Sequence, residues 1–226
     1  MSLLTLIRHA ESDANNVLEN YKNHPAGSII RAMLRDESDE LIGLTYNGYL
    51  LAKLFGILCN AGYIPLTVDD YDTIITTSYI RTLETVKAIY GYLPKNIEID
   101  NEYAERDFGI AHICTDEDIH EIDKEYGTNI YEEWGNNPAH YVPPGGESLS
   151  MVWDRTIGAL IYTMQEHEGE DILIVIHGET GNMVDAYANG VRNVEDYLIF
   201  KKEHRLKNMD YRNYEMTGLE LKSKIS

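Results

Sequence analysis

The sequence lacks cysteine pairs and long apolar runs, and each absence excludes a class of protein. Its two cysteines, Cys59 and Cys114, lie far apart and have no metal-binding spacing, so we expect reduced thiols in a cytoplasmic protein. No apolar stretch approaches the ~20 residues that a membrane-spanning helix needs. The first apolar run, Leu3–Ile7, has neither a basic start nor a cleavage site, so it predicts a strand and not a signal peptide.

Basic residues are also scarce. Only 19 Lys and Arg residues stand against 38 Asp and Glu residues, which gives a formal net charge of −19. This charge argues against a nucleic-acid partner and against binding to an anionic membrane. It would also repel an anionic small molecule, unless a few cations were concentrated in one pocket. The apolar share of 43% is otherwise ordinary for a folded protein of 226 residues.

Short apolar runs alternate with stretches of helical period, and this alternation predicts an α/β fold. The runs predicted as strands are residues 3–7, 73–77, 97–100, 171–176, 197–200 and 217–221. Helices are predicted to begin near Thr45, Ser78, Thr115, Ser148 and Glu179. Strands that alternate with helices favour a three-layer sandwich, with a mostly parallel central sheet and helices on both faces.

No linker divides the chain, so we interpret residues 1–226 as a single domain. Two segments, at about 16–41 and 110–144, interrupt the alternation and are predicted to be excursions that cover a site. Side chains in these excursions would then determine which substrate is accepted. The candidates are Tyr21, His24, Arg31, Arg35, His112, Tyr131 and Tyr141, although each one alone is more typical of an ordinary loop residue.

Three predicted strands end in turns that carry reactive side chains. The first turn contains Arg8 and His9, the second Arg81, and the third His177 followed by Gly178. In an open α/β sheet, ligands bind in the crevice at the carboxyl ends of the strands, and the helix N-termini that follow favour an anion. Two histidines and two arginines could therefore meet at one electropositive point in an acidic protein.

This combination of side chains suits the transfer of a phosphoryl group. A neutral His9 imidazole can attack phosphorus and form a covalent phosphohistidine. Arg8 and Arg81 would disfavour protonation of that imidazole and would grip the phosphoryl oxygens, and His177 would donate to a third oxygen. A carboxylic acid near the pocket would protonate the leaving alkoxide and then activate water. Composition and spacing do not identify this acid.

The motifs around these residues resemble those of the histidine phosphatase superfamily, the phosphoglycerate-mutase-like enzymes. The matching segments occur in the family's order, at residues 6–15, 44–56, 77–85, 104–109, 144–148 and 176–178. The first segment contains R-H-A-E-S where the family has R-H-G-E-[ST], so Ala10 replaces the usual glycine. If that position needs a positive φ or the close approach of a ligand, alanine has a cost there, which we expect the activity to survive.

The resemblance implies an α/β sandwich and a role for each site residue. His9 is then the nucleophile, and Glu105 is the general acid and base. The phosphate-binding residues that it implies are Arg8, Ser12, Asn15, Arg81, His177 and Gly178. The expected protein is a metal-independent cytoplasmic phosphatase, without a cofactor, that hydrolyses small phosphorylated metabolites. We expect no nucleic-acid or membrane partner, and a homodimer is one possible assembly.

Three alternatives stay open at this point. A mutase of the same family would return the phosphoryl group to its substrate, although the 109–144 segment is more similar to that of the phosphatases. A sensor would keep the pocket and bind a phosphorylated ligand without turnover. Finally, His9, Glu11 and the distant His177 could form a two-histidine, one-carboxylate iron site, which the neighbouring arginines would disfavour by repelling a cation.

Overall fold

The computed structural model describes residues 2–223, and in this range the strands form one six-stranded sheet. The strands are β1 (Ser2–Arg8), β2 (Thr73–Thr76), β3 (Ile97–Ile99), β4 (Ile172–Ile176), β5 (Tyr211–Thr217) and β6 (Glu220–Ser223). Their order across the sheet is β3-β2-β4-β1-β5-β6. The first four run parallel, whereas β5 pairs antiparallel with β1, and β6 pairs antiparallel with β5. The predicted α/β fold with a mostly parallel sheet is confirmed.

Along the chain, most helices of the described residues connect one strand to the next. The helices are α1 (Asp13–Glu19), α2 (Gly27–Arg35), α3 (Tyr46–Asn60), α4 (Ile80–Tyr90), α5 (Asp116–Tyr126), α6 (Ile130–Asn136), α7 (Leu149–Glu166), α8 (Gly178–Ala188) and α9 (Val194–Phe200). The side chains of Thr45, Thr115 and Ser148 cap α3, α5 and α7, so these helices begin where the sequence predicts. Within residues 2–223, no helix has both the length and the apolar character needed to cross a bilayer.

Strand β4 explains why helices cover both faces of the sheet. Its five residues are fully buried, and alternate residues face opposite sides. Ile172, Ile174 and Ile176 pack in one apolar cluster with residues of α7, α8 and α9. Leu173 and Val175 pack in a second cluster with residues of α3 and α4. The sheet is therefore the middle of three layers, as the sequence predicts.

Residues 197–200 are helical, so the prediction of a strand there is wrong. The side chain of Asn193 caps α9 by accepting the N–H of Asp196 over 2.8 Å. Val194 and Tyr197, three residues apart, are both buried, which is the spacing of a helix. An apolar run of four residues has no period that separates a strand from a helix. The capping residue upstream was the signal that could have identified this helix.

Two other boundaries differ from those predicted. A turn at Gly218, whose φ is +58°, divides the predicted strand 217–221 into the end of β5 and the start of β6. β5 begins at Tyr211, earlier than predicted. The prediction missed this start because only two residues of the strand are buried, so its apolar pattern is weak. In α4, Tyr79 and not Ser78 occupies the N-cap position, and no side chain caps this helix. Ser78 instead donates its backbone N–H to Asn101.

The two predicted excursions are bonded to each other. The guanidinium of Arg31, on α2, donates to both carboxylate oxygens of Asp118, on α5, over 2.7 and 3.3 Å. These two side chains are only 6% and 10% exposed. Asp118 also accepts the backbone N–H of Thr115 at the start of α5. Arg31 therefore has a buried structural partner, and this pair fixes α2 against α5.

Candidate active site

The turns that follow β1 and β4 meet, because these strands are neighbours in the sheet. His9 follows β1 and His177 follows β4, and their rings lie 5.3 Å apart from centre to centre. The backbone N–H of His9 donates to the carbonyl of Ile176 over 2.9 Å. Arg81, in the first turn of α4, donates from Nε to Nδ1 of His177 over 3.3 Å. The structure thus brings both predicted histidines and one predicted arginine to one point.

A cavity of about 140 Å³ lies beside His9 and Arg81. Its lining residues are His9, Ser12, Ala14, Asn15, Leu18, Asp39, Arg81, Glu105, Phe108, His112 and Ile113. The lining includes five of the eight site residues that the sequence suggested. Each predicted excursion also contributes to it, the first through Leu18 and Asp39 and the second through His112 and Ile113. Within residues 2–223, no group of three or more His, Cys, Asp or Glu side chains is arranged to hold a metal ion.

The other three predicted site residues contact the lining residues or each other. His177 is bonded to Arg81, and the backbone N–H of Gly178 donates to the Glu105 carboxylate over 3.0 Å. Arg8 packs against Gly178, where a Cβ atom would lie 3.3 Å from the guanidinium carbon. Nη1 of Arg8 donates to a backbone carbonyl. Its Nε is buried and has no hydrogen-bond partner among residues 2–223, so this donor of Arg8 is unpaired.

His9 is buried with one ring nitrogen engaged. Its Nδ1 lies 2.7 Å from the carbonyl oxygen of Ala10, and since that oxygen can only accept, Nδ1 carries the proton. Burial lowers the pKa of His9 well below its ordinary value, and the charges of Arg81 and Arg8 lower it further. His9 is therefore a neutral imidazole at pH 7, and its Nε2 is the nitrogen with a free lone pair.

Both ring nitrogens of His177 are engaged. Because a guanidinium N–H only donates, Nδ1 of His177 accepts from Arg81, and the proton is then on Nε2, 2.9 Å from Oγ1 of Thr77. Burial lowers the pKa of His177 well below its ordinary value, and the charge of Arg81 adds to this. In this state His177 orients Arg81, and a bond from His177 to a phosphoryl oxygen stays a prediction.

The guanidinium of Arg81 is paired with the carboxylate of Asp39. Nη1 donates to Oδ1 of Asp39 over 2.9 Å, and Nη2 donates to Oδ2 over 3.0 Å. Nη1 also donates to the backbone carbonyl of Asp39 over 2.7 Å. Arginine binds phosphate through the same two-pronged geometry. A carboxylate of the protein therefore occupies the place that two phosphoryl oxygens would take on Arg81.

Glu105 lies at the N-terminus of α8. One carboxylate oxygen accepts the N–H of Arg106 and the other accepts the N–H of Gly178, each over 3.0 Å. Removal from water raises the pKa of Glu105, and the negative charge of Glu179 raises it further. The bond from Arg106 and the charges of the two site arginines oppose this rise without cancelling it. Glu105 thus holds a proton at higher pH than an ordinary glutamate.

Glu147, in the Pro-Gly-Gly-Glu-Ser loop, holds the backbone around Glu105. Its carboxylate accepts the N–H of Asp107 over 3.0 Å and Nε of Arg155 over 2.9 Å. Arg155 also donates to the backbone carbonyl of Glu105 over 3.2 Å. The loop can approach this closely because residue 146 is glycine, where a Cβ atom would lie 2.7 Å from the carbonyl of Asp107. The loop fixes Glu105 without lining the cavity.

Ser12 and Asn15 are bonded to each other at the start of α1. The Ser12 hydroxyl accepts the N–H of Asn15, and Oδ1 of Asn15 accepts the N–H of Ser12, each over 3.3 Å. Nδ2 of Asn208 donates both to Oδ1 of Asn15 and to the backbone carbonyl of His9. Because Oδ1 is engaged, the amide NH2 group is what Asn15 can offer to a ligand.

Ala10 fits its position without strain. Its φ is not among the positive values of residues 2–223, so glycine's conformational freedom is not needed there. Its backbone N–H donates to Oγ1 of Thr85 over 3.0 Å, and its side chain is fully buried. Glycine is required instead at residue 48, because the backbone of Glu11 passes so close that a Cβ atom on Gly48 would lie 2.2 Å from its carbonyl oxygen.

Among the residues that sequence reasoning overlooked, four form hydrogen bonds with predicted site residues or their neighbours: Thr77, Thr85, Asp39 and Asn208. Thr77 and Thr85 belong to the matching segment 77–85, so the motif itself was a usable signal. Asp39 and Asn208 lie outside every motif, and no local pattern identifies them. Their contacts become apparent only when the folded chain brings them to Arg81 and Asn15.

The fold and the site define an α/β protein in which a buried pair of histidines lies beside an arginine and a protonatable glutamate. A comparison with known families identifies the class. The model of the histidine phosphatase superfamily, branch 1, matches residues 64–222. The chain belongs to this superfamily.

The individual proteins to which the chain is similar share between 17% and 31% of its residues in the aligned regions. The uncharacterized phosphatase PhoE of Bacillus subtilis (strain 168) is 31% identical over 108 residues, which are 48% of this chain and 48% of PhoE, so the match spans about half the length of this curated relative. The alpha-ribazole phosphatase of Shigella flexneri has a TM-score of 0.73 at 21% identity, over 99% of this chain and 95% of that one. The phosphoserine phosphatase of Entamoeba histolytica, solved with 3-phosphoglyceric acid, has a TM-score of 0.67 at 17% identity, over 100% and 96%. These structural likenesses establish the fold.

Proposed function

We propose that this protein is a metal-independent phosphatase that hydrolyses phosphate monoesters through a phosphohistidine on His9, with Glu105 as general acid and base. The observation that carries the proposal is geometric: His9, with Nδ1 bonded to the carbonyl of Ala10 and Nε2 left free, lines the same cavity as Glu105. His9 is neutral with its proton on Nδ1, and Glu105, in the same cavity, has a raised pKa. A nucleophile with a free lone pair therefore lies in one cavity with a carboxyl group that holds its proton to higher pH than an ordinary glutamate.

In the first step, the lone pair of His9 Nε2 forms a bond to phosphorus, and the bond from phosphorus to the ester oxygen breaks. The proton of Glu105 goes to the departing oxygen, so an alcohol leaves and a carboxylate remains. The bond from His9 Nδ1 to the carbonyl of Ala10 keeps the ring in place throughout. Once Asp39 has left Arg81, this guanidinium would hold the phosphoryl oxygens as their charge shifts, and Arg8, whose Nε is unpaired, would add positive charge beside them.

In the second step, the Glu105 carboxylate removes a proton from water, and the water oxygen bonds to phosphorus. The bond between phosphorus and Nε2 breaks, its electron pair returns to His9, and inorganic phosphate leaves. Each residue thus ends in its starting form. A mutase would differ only here, because a hydroxyl of the substrate would replace water.

The test is phosphate release in the presence of EDTA from a panel of monoesters, including alpha-ribazole phosphate and phosphoserine, the substrates after which two structural relatives are named. We expect turnover that survives chelation, and a phosphoenzyme that is stable in alkali but labile in acid when the reaction is quenched. Activity that needs added metal would contradict the proposal. Binding without product would indicate a sensor, and isomerised esters without free phosphate would indicate a mutase.

The pairing of Arg81 with Asp39 gives a second prediction. Replacing Asp39 by asparagine removes the charge that competes with phosphate for Arg81, and a hydrogen bond to a charged group contributes about 1.5–3 kcal/mol. We therefore expect Asp39→Asn to bind inorganic phosphate about tenfold more tightly, as measured by calorimetry. The control is Asp36→Asn, which removes the same charge from an exposed position in the same segment. Equal affinities of the two variants would show that Asp39 does not compete.

A further inference from the structure

The cavity around His9 is too small to hold a whole substrate. Its volume is about 140 Å³, whereas cavities that bind complete small molecules measure about 300–1,000 Å³. If His9 receives a phosphoryl group there, the alcohol part of the ester must extend into a neighbouring cavity. The described residues offer two such neighbours, and they differ in chemistry.

The first neighbour is polar and mostly acidic. It measures about 290 Å³ and shares Asp39 and His112 with the His9 cavity. Its other charged residues are Glu40, Asp107 and Arg35, so three carboxylates stand against one guanidinium. The bidentate pair of Asp39 and Arg81 also lies where this space meets the His9 cavity. An alcohol with its own negative charge would be repelled there.

The second neighbour is apolar. It measures about 480 Å³, within the range of cavities that bind small molecules, and shares Leu18, Phe108 and Ile113 with the His9 cavity. Ile119 and Trp134 line it further. Among the described residues that line it, the one charged side chain is that of Asp116, which is exposed. The wall therefore offers apolar and aromatic surface directly beside the predicted nucleophile.

One of the residues shared by the apolar cavity and the His9 cavity has an unusual backbone conformation. Ile113 has a φ of +50°, which is rare for a β-branched residue, and its side chain is buried against Val17 and Ile42. Phe108 and Trp134 stack with their ring centres 5.8 Å apart, and the guanidinium of Arg106 lies 4.7 Å from the centre of the Trp134 ring. These contacts define the shape of the apolar cavity before a ligand arrives.

We infer that the apolar cavity, lined by Leu18, Phe108, Ile113, Ile119 and Trp134, binds the alcohol part of the substrate, and that this part is an uncharged, ring-bearing apolar group. The inference rests on the proposed function of the His9 site. The physiological substrate is then a phosphate monoester of an aromatic or similarly apolar alcohol, and not an acidic metabolite such as a phosphoglycerate.

The test compares three esters whose leaving groups are all phenols: phenyl, 2-naphthyl and 3-carboxyphenyl phosphate. We expect kcat/KM to be about tenfold higher for the naphthyl ester than for the phenyl ester, because the second ring buries more apolar surface. For the carboxyphenyl ester we expect a value at least about tenfold lower, because its carboxylate would lose its hydration in the apolar cavity and would meet three carboxylates in the acidic one. Equal values for the naphthyl and phenyl esters, or a preference for the charged ester, would overturn the inference while the phosphatase proposal stood.

A variant of Gly135 tests the cavity itself. Gly135 lines the cavity on α6, and a Cβ atom built there meets no atom within 4 Å. Gly135→Leu should fill part of the space and reduce the naphthyl-to-phenyl ratio to about one, while leucine is also the better helix former. Gly158→Leu is the matched control, since Gly158 is an exposed helical glycine of α7 with equally free space. An unchanged ratio in Gly135→Leu would contradict the assignment.

Binding of 2-naphthylmethylphosphonate, which cannot be hydrolysed, separates this inference from the proposed function. If the protein hydrolyses none of the esters, the phosphatase proposal fails and the cavity is still tested by calorimetry. Binding at least about tenfold weaker in Gly135→Leu than in Gly158→Leu would support the apolar cavity as the site. Equal binding by the two variants would rule it out.

Discussion

Replacing His9 by alanine is expected to reduce phosphate release by at least about 10⁴-fold, the largest effect of any single substitution in this protein. The variant loses the only protein atom that our mechanism bonds to phosphorus, and water would have to attack the ester directly. Multiple-turnover kinetics with phenyl phosphate measure the loss. The quenched reaction should contain no alkali-stable phosphoenzyme, because both ring nitrogens of His177, the other histidine of the site, are engaged by Thr77 and Arg81.

Two controls separate a lost nucleophile from a damaged fold. His140→Ala removes an exposed histidine that pairs with Glu195 at the surface, so its activity should equal that of the wild type. Added imidazole should restore part of the activity of His9→Ala, because a free imidazole can enter the space left by the ring and accept the phosphoryl group. Full activity of His9→Ala would contradict the mechanism, and a loss that imidazole does not rescue, with a lowered melting temperature, would indicate a structural role.

The sequence was sufficient for the parts of the site that lie at strand ends. β1 and β4 are short, strongly apolar and bounded by polar turns, so their carboxyl ends could be located from the pattern. His9 and His177 follow these ends directly, and parallel neighbours must carry them to the same edge of the sheet. Here a local pattern and a general rule of topology predict a long-range contact.

Glu105 shows where the pattern was not sufficient. Its place in the site depends on backbone N–H groups of residues 178 and 179, more than seventy positions later in the chain. No periodicity in the residues around Glu105 contains this information, and only the resemblance to a family indicated the acid. Its raised pKa is likewise a property of the fold, since it results from burial and from the charge of Glu179.

Asp39 and Asn208 were unpredictable for a related reason. Asp39 lies in a short turn of polar residues, 42 positions before its partner Arg81. Asn208 precedes β5, whose apolar pattern was too weak for the strand to be predicted at its correct position. Its partner Asn15 lies 193 positions away in the chain. When the partner of a side chain is determined by tertiary packing, the residues around that side chain in the sequence do not predict the contact.

The second large effect is expected for Glu105→Gln, which keeps the shape of the side chain and removes the proton that it transfers. We expect kcat/KM for an alkyl phosphate to fall by about 10²–10⁴-fold, because an alkoxide leaves poorly without a proton. For 4-nitrophenyl phosphate the fall should stay below about tenfold, because nitrophenolate leaves without help. Steady-state kinetics with the two esters measure the contrast. Glu102→Gln is the matched control, because Glu102 is exposed and lies three residues away.

The pH profile of kcat/KM gives an independent readout of the same proton. His9 must be neutral, so activity is lost as the pH falls through its pKa, which lies well below the ordinary 6.5. Glu105 must be protonated, so activity is lost as the pH rises through its pKa, which lies above the ordinary 4.5. The two shifts widen the range in which both conditions hold, and the profile should be bell-shaped. In Glu105→Gln the fall at high pH should disappear while the fall at low pH remains. Equal losses for both esters and an unchanged profile would show that Glu105 acts through structure and not through proton transfer.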